Sequence, residues 1–197
     1  PIAELPSSDR TYDYHSFVLQ GIIAALFYLG LGISIAFLPL LATQVVGVGA
    51  TKVGILFTIR GFITMTLGIP IGMLADRRGK RDLMIIALLV SAAGLAGVAF
   101  AESFTWLVVS LIIWSLGATT FSPAAFGLLS SLVPPQRQST VMGIYGGIFA
   151  NVGILSGSAL GGVAWSTWGP QPTFLMGTVS AILAAAICFF TLTRDEG

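Results

Sequence analysis

Residues 72–84 read Gly72-Met73-Leu74-Ala75-Asp76-Arg77-Arg78-Gly79-Lys80-Arg81-Asp82-Leu83-Met84, a knot of charge between two long apolar runs. Ahead of it, Thr51 to Leu74 carries only Lys52 and Arg60; behind it, Leu83 to Ala101 carries no charge. Neither run alternates apolar with polar residues, and about 20 apolar residues in a helix rising roughly 1.5 Å each span the hydrocarbon of a bilayer. An open sheet cannot satisfy its backbone groups in lipid. The two runs are therefore expected as transmembrane helices and the quoted stretch as the loop joining them at one membrane face. Within that loop Asp76 sits among four cations, Arg77, Arg78, Lys80 and Arg81, a cluster able to form and break charged contacts. Gly72 is expected to admit a close helix approach and Gly79 a tight turn.

Working outward, four more apolar runs follow the same reading: Phe17 to Leu41, Thr105 to Leu132, Thr140 to Trp165 and Thr173 to Leu192. That makes six spans, which would use roughly 120 to 140 residues and leave short loops. The composition agrees, with 55% hydrophobic and 9% charged residues over 197 positions and a mean hydropathy of +0.94, far too apolar for an ordinary soluble domain. The expected division is a cytoplasmic amino-terminal or linker segment over residues 1–16, a six-helix bundle over 17–192 and a tail over 193–197. Pro39, Pro70 and Pro123 are expected to bend or end helices, with bundle neighbours re-satisfying the freed carbonyls.

Charge sets the orientation. Arg10, Arg77, Arg78, Lys80, Arg81, Arg137 and Arg194 all fall on one side of the predicted membrane, and only Lys52 on the other. The positive-inside rule then places both termini in the cytoplasm, Trp106, Trp165 and Trp168 at the outer interface, and Tyr12 and Tyr14 near the inner one. The expected location is the plasma membrane. A net charge of +1 excludes a broad basic face for nucleic acid. The single Cys188 excludes an intrachain disulfide and a cysteine metal cluster; packing is its expected role, and no cofactor or metal is called for. The opening at Pro1, with Glu4, Asp9, Arg10 and Asp13 and no apolar core, is unlike a signal peptide and is expected of a fragment.

A faint internal echo accompanies this topology. Phe37 and Pro39 align with Phe121 and Pro123, Gly54 with Gly143, and Gly72 and Gly79 with Gly162 and Gly169. Three spans starting on one side and three on the other would form a 3+3 inverted repeat, an architecture associated with secondary transporters.

The loop also resembles the GxLaDRxGRK signature of the major facilitator superfamily, matching at Gly72, Leu74, Ala75, Asp76, Arg77, Gly79, Lys80 and Arg81. The resemblance extends over nearly the whole chain and implies half of a two-bundle transporter. It further implies that Asp76 and Arg77 help latch a cytoplasmic gate. A second likeness lies in Gly153, Gly157, Gly161 and Gly162, similar to the GxxxGPxxGG motif of superfamily antiporters but with Ser158 at the Pro position. Antiport does not follow; small residues at this spacing are read as a close helix contact.

Arg60 is the only charge well inside a span. An unpaired guanidinium there is costly, so it is expected to face the bundle and meet an oxygen. Two readings stand, a substrate or coupling role or structural pairing to carbonyls or an absent half. Arg60, Thr64, Gly68 and Gly72 recur at four-residue steps as a small, polar strip. Gln20, Phe27 and Ser34, and likewise Ser110, Trp114, Gly117 and Phe121, form stripes usually given to packing. The resemblance places the first and fourth helices of each half around the cavity, which makes Trp114 a candidate lining residue. Asn151 is expected to hydrogen-bond across the bundle, and the sixth span to face lipid.

The expected function is therefore secondary transport of a small solute by alternating access, with this chain supplying one half, the carboxyl-terminal one. Its partners would be the solute, the bilayer and either the other six-helix half or a second copy. An intramembrane enzyme would need a buried nucleophile and base, whereas His15 precedes the first span and neither a GxSG string nor paired intramembrane aspartates occur. A channel subunit would want a filter such as TVGYG or an acidic ring, and neither is present.

Overall fold

A computed structural model describes residues 14–77, 79–133 and 135–191; the side chains of 14, 74–77, 131, 132 and 135 are outside that description. The described chain is helical, without strands. Helix α1, Tyr14–Leu40, runs on through a π-helical turn, Leu41–Val45. It is followed by α2, Ala50–Arg77; α3, Lys80–Ala99; and α4, Phe104–Leu132. The fifth span is assembled from α5, Gln138–Ile144, a π turn at Tyr145–Phe149, and α6, Ala150–Trp168. Helix α7, Pro170–Thr191, closes the bundle. Six stretches of this path are long and apolar enough to cross a membrane, and they are the six expected from sequence. The first runs past Leu41 to Val45: Pro39 lies inside the helix without ending it, and the chain continues through a π turn. Pro70 and Pro123 likewise lie inside helices.

The packing partners follow the repeat. Helix α1 lies against α6 as α4 lies against α2, and α1 lies against α7 as α4 lies against α3; α3 and α7 pack on each other. Exchanging the first three spans for the last three therefore maps these contacts onto themselves. Three crossings per unit make the two units opposite in direction, as an inverted repeat requires.

Helix association in lipid draws on close van der Waals packing more than on release of water. Along α6 the backbone comes so near α1 that a Cβ at Gly153 would meet Tyr28 at 2.8 Å, and one at Gly157 would meet Leu29 at 2.8 Å. Gly162 sits at the margin of this contact, 3.9 Å from Phe37. By contrast, a Cβ at Gly72 would meet nothing within 4 Å among the described residues, so no close approach occurs there in this chain. At Gly79 the backbone has φ −54° and ψ 115°, a conformation open to any residue, so the expected need for glycine in the turn is not met.

The sixth span is not simply a lipid-facing rim. One side of α7 is buried against α1 and α3, at Phe174, Ala181, Ala184 and Cys188, and the other exposes Val179, Ile182 and Phe190. The least covered helix is α2, where Phe62, Met65 and Ile69 are 68%, 83% and 74% exposed. Apolar composition could not separate these cases, since both lipid-facing and bundle-facing helices are apolar.

Candidate functional site

A cavity of about 290 Å³ opens between α1, α2 and α4. Arg60 reaches it from α2, some ten residues or about 15 Å from the start of that helix, and so near mid-span. Thr64, one turn further, presents its hydroxyl beside it. From α4 the wall receives Ser115, Thr119 and Ser122, which recur at steps of four and three along one face. Phe27 and Tyr28 of α1 supply an aromatic side.

These groups are held by contacts that use only part of their bonding capacity. The Arg60 guanidinium stands over the indole of Trp114, 4.5 Å from its centroid, a cation–π contact. Among the described residues no oxygen accepts from that guanidinium. The Thr64 hydroxyl lies 3.1 Å from the Arg60 carbonyl oxygen and 3.3 Å from the Thr119 hydroxyl. With its one proton given to the carbonyl, Thr64 accepts from Thr119, so this pair is satisfied. Ser115 differs, for its Oγ is buried with no hydrogen-bond partner although the residue lines the cavity. Phe27 stacks on Phe121 at 4.0 Å and meets Tyr28 edge-on at 5.2 Å, which stiffens the aromatic wall.

The candidates separate accordingly. Arg60 belongs to the cavity. Trp114 is beneath it, nearly fully buried, and supports the guanidinium instead of lining the space. Asn151 is exposed and donates to the Gly147 carbonyl oxygen of its own span at 2.8 Å, so it neither crosses the bundle nor reaches the cavity. A short amide side chain in a helix finds a local carbonyl first, here in a stretch loosened by the π turn. Ser115, Thr119 and Ser122 escaped the sequence reading, although their spacing on α4 runs parallel to that of Arg60 and Thr64 on α2.

The signature loop divides as well. The side chains of Leu74, Asp76 and Arg77 lie outside the described residues. Lys80 Nζ donates to the Gly127 carbonyl oxygen of α4 at 2.9 Å, and Arg81 Nη2 donates to the Phe189 carbonyl oxygen in the last turn of α7, also at 2.9 Å. Arg81 also stands over the Phe189 ring, 5.9 Å from its centroid. Phe189 lies in the last turn of α7, where a cation complements the dipole and occupies a carbonyl that the helix leaves free; Gly127 lies five residues before the end of α4, and its carbonyl also accepts from the Ser130 hydroxyl. The start of α3 is thereby fastened to two neighbours.

Comparison with known proteins gives a consistent picture. The family model of the Major Facilitator Superfamily matches residues 21–197. Among curated relatives, the multidrug resistance protein MdtH of Shigella dysenteriae serotype 1 (strain Sd197) is 36% identical over 110 residues, which cover 54% of this chain and 27% of the relative. Its counterpart in Cronobacter sakazakii is 36% identical over 111 residues, covering 55% of this chain and 27% of the relative. Two crystal structures of a bacterial homologue of the human lysosomal transporter Spinster, both inward-facing, share the fold. The unoccupied one aligns with a TM-score of 0.73 at 18% identity, covering 92% of this chain and 43% of that one. The occupied one gives 0.72 at 20% identity, covering 91% and 44%. The chain thus spans less than half the length of the proteins it matches.

Proposed function

The chain belongs to the Major Facilitator Superfamily and is an integral multi-pass membrane protein; from that premise we propose that it supplies one six-helix half of a secondary transporter, moving a small solute by alternating access. The observation that carries this reading is the mid-span cavity at Arg60, walled by the first, second and fourth spans. A half-formed wall with an uncompensated cation at that depth suits a space completed by another bundle. The relatives are named as multidrug resistance proteins, which brings drug-sized solutes to the front as cargo. Both termini in the cytoplasm, as the basic loops favour, the carboxyl-terminal half and the plasma membrane complete the proposal.

In this reading Asp76 and Arg77 work the cytoplasmic gate, while Lys80 and Arg81 hold the loop's far end on α4 and α7. Reconstitution in liposomes tests the whole. The complete protein should show gradient-driven uptake, a demonstrated monomer of this chain should show none, and uptake by that monomer would overturn the half-transporter reading. Asp76→Asn in the complete protein should slow cycling about tenfold or more if it removes a charged contact worth roughly 1.5–3 kcal/mol in one state, while leaving insertion intact. Unchanged transport would remove the gate assignment.

A further inference from the structure

Resting on the transporter reading, we propose that the cavity takes an organic anion: a carboxylate or similar oxyanion on an apolar, ring-sized body, its charge bound by Arg60 and one of its oxygens accepting from Ser115. Three features of the site carry this together. First, the guanidinium is near mid-span, and no described residue supplies an oxygen to it. Trp114 holds it by the ring face; such a contact leaves N–H donors for an acceptor, and the planar fork matches a carboxylate. At about 15 Å from the helix start, it lies too deep to serve as a headgroup site.

Second, Ser115 is 1% exposed, lines the same cavity and has no partner for its Oγ. A buried hydroxyl left unmatched costs about 1–3 kcal/mol; the Oγ is shielded in this conformation, and a change of its χ1 rotamer would bring it to an anionic oxygen in the cavity and remove that cost. Thr64 and Thr119 satisfy each other, which leaves Arg60 as the charged donor and the hydroxyls of Ser115, Ser122 and Tyr28 as neutral ones around it. Third, the opposite wall is largely apolar and aromatic, with Phe27, Tyr28 and Leu31, and among the described residues no acidic one lines the space. A lipophilic cation would meet the Arg60 charge without any compensation. The apolar wall would take the body of a ring system whose acid group meets Arg60.

The test uses the complete protein in lipid nanodiscs and three probes of one shape: 2-naphthoate, 2-naphthamide and 2-naphthylmethylammonium. Calorimetry should find the naphthoate bound about tenfold or more tightly than the amide, as befits a charged hydrogen bond, and the ammonium weakest. Arg60→Gln should erase the preference for the anion, lowering naphthoate affinity about tenfold more than amide affinity, and Ser115→Ala should weaken naphthoate several-fold. Where Arg60→Gln does not fold, Arg60→Lys decides, since a point charge in place of the fork should lower naphthoate affinity and spare the amide. Equal binding of the three probes, or an anion preference that the Arg60 substitutions leave undiminished, overturns the proposal. The second outcome would assign Arg60 to a carboxylate of the other half instead. Uptake of unrelated solutes by the same protein in liposomes separates the two readings. Gradient-driven uptake without anion preference removes only the substrate class, whereas anion preference without any uptake removes the transport reading and leaves the site.

Discussion

At the level of single residues, the glycines of the fifth span show how much depends on the neighbour and how little on the residue type. A Cβ at Gly157 would press on the Leu29 backbone, whose Cα would lie only 2.9 Å away, whereas one at Gly143 would meet nothing within 4 Å. The same substitution therefore has different expectations along one span. Gly157→Ala must push α6 away from α1 and should cost about 1–3 kcal/mol, the usual range for overpacking, read as a lower melting temperature in detergent. Gly143→Ala should leave melting unchanged or raise it slightly, since alanine is the better helix former. A Gly157→Ala variant as stable as the parent would mean that the two helices are not in the contact described. Asn151 illustrates the converse, a polar residue whose mid-bundle position promised a long-range bond and which bonds to Gly147 four residues away.

Among the elements, the six spans were legible because hydrocarbon thickness fixes both the length and the apolar character of anything that crosses it. The cavity was legible at Arg60, because a charge in a membrane span is conspicuous, and at Thr64 one turn away on the same polar strip. Ser115, Thr119 and Ser122 were not, since hydroxyls are common in apolar helices, and whether they face a cavity depends on α2 packing against α4 across a long separation in sequence. The basic loop was read for topology and for a gate, yet two of its cations also act as fasteners between elements. Arg81 bonds the Phe189 carbonyl of α7 directly beside buried Cys188. Arg81→Ala removes that bond, worth about 1 kcal/mol for a partly exposed pair, and frees the end of α7. Cys188 in the parent should resist a membrane-permeant maleimide, and in Arg81→Ala it should react about fivefold faster by peptide mass spectrometry. Equal labelling rates would show that α7 is held by apolar packing and not by this cation.

For the whole molecule, the question is what covers α2, and its small residues argue for a helix instead of lipid. Gly54, Gly61 and Gly68 recur every seven residues, so they share a face, and added Cβ atoms there would meet nothing within 4 Å. Within this chain those glycines do no packing work, although glycine weakens a helix interior relative to a larger residue. Elsewhere in the bundle, at Gly153 and Gly157, glycine coincides with a close backbone approach. An open strip of the same kind, beside the exposed side chains of Phe62, Met65 and Ile69, is what a second six-helix bundle would use. Gly68→Leu separates the two possibilities because it has opposite consequences in the two settings. In this chain by itself, the added side chain enters open space, and melting should stay the same or rise slightly with the better helix former. In the complete protein it should intrude on the facing helix at a cost of about 1–3 kcal/mol, lowering uptake about tenfold. If Gly68→Leu leaves transport by the complete protein untouched, that face of α2 looks onto lipid, and the second half must meet this chain somewhere else.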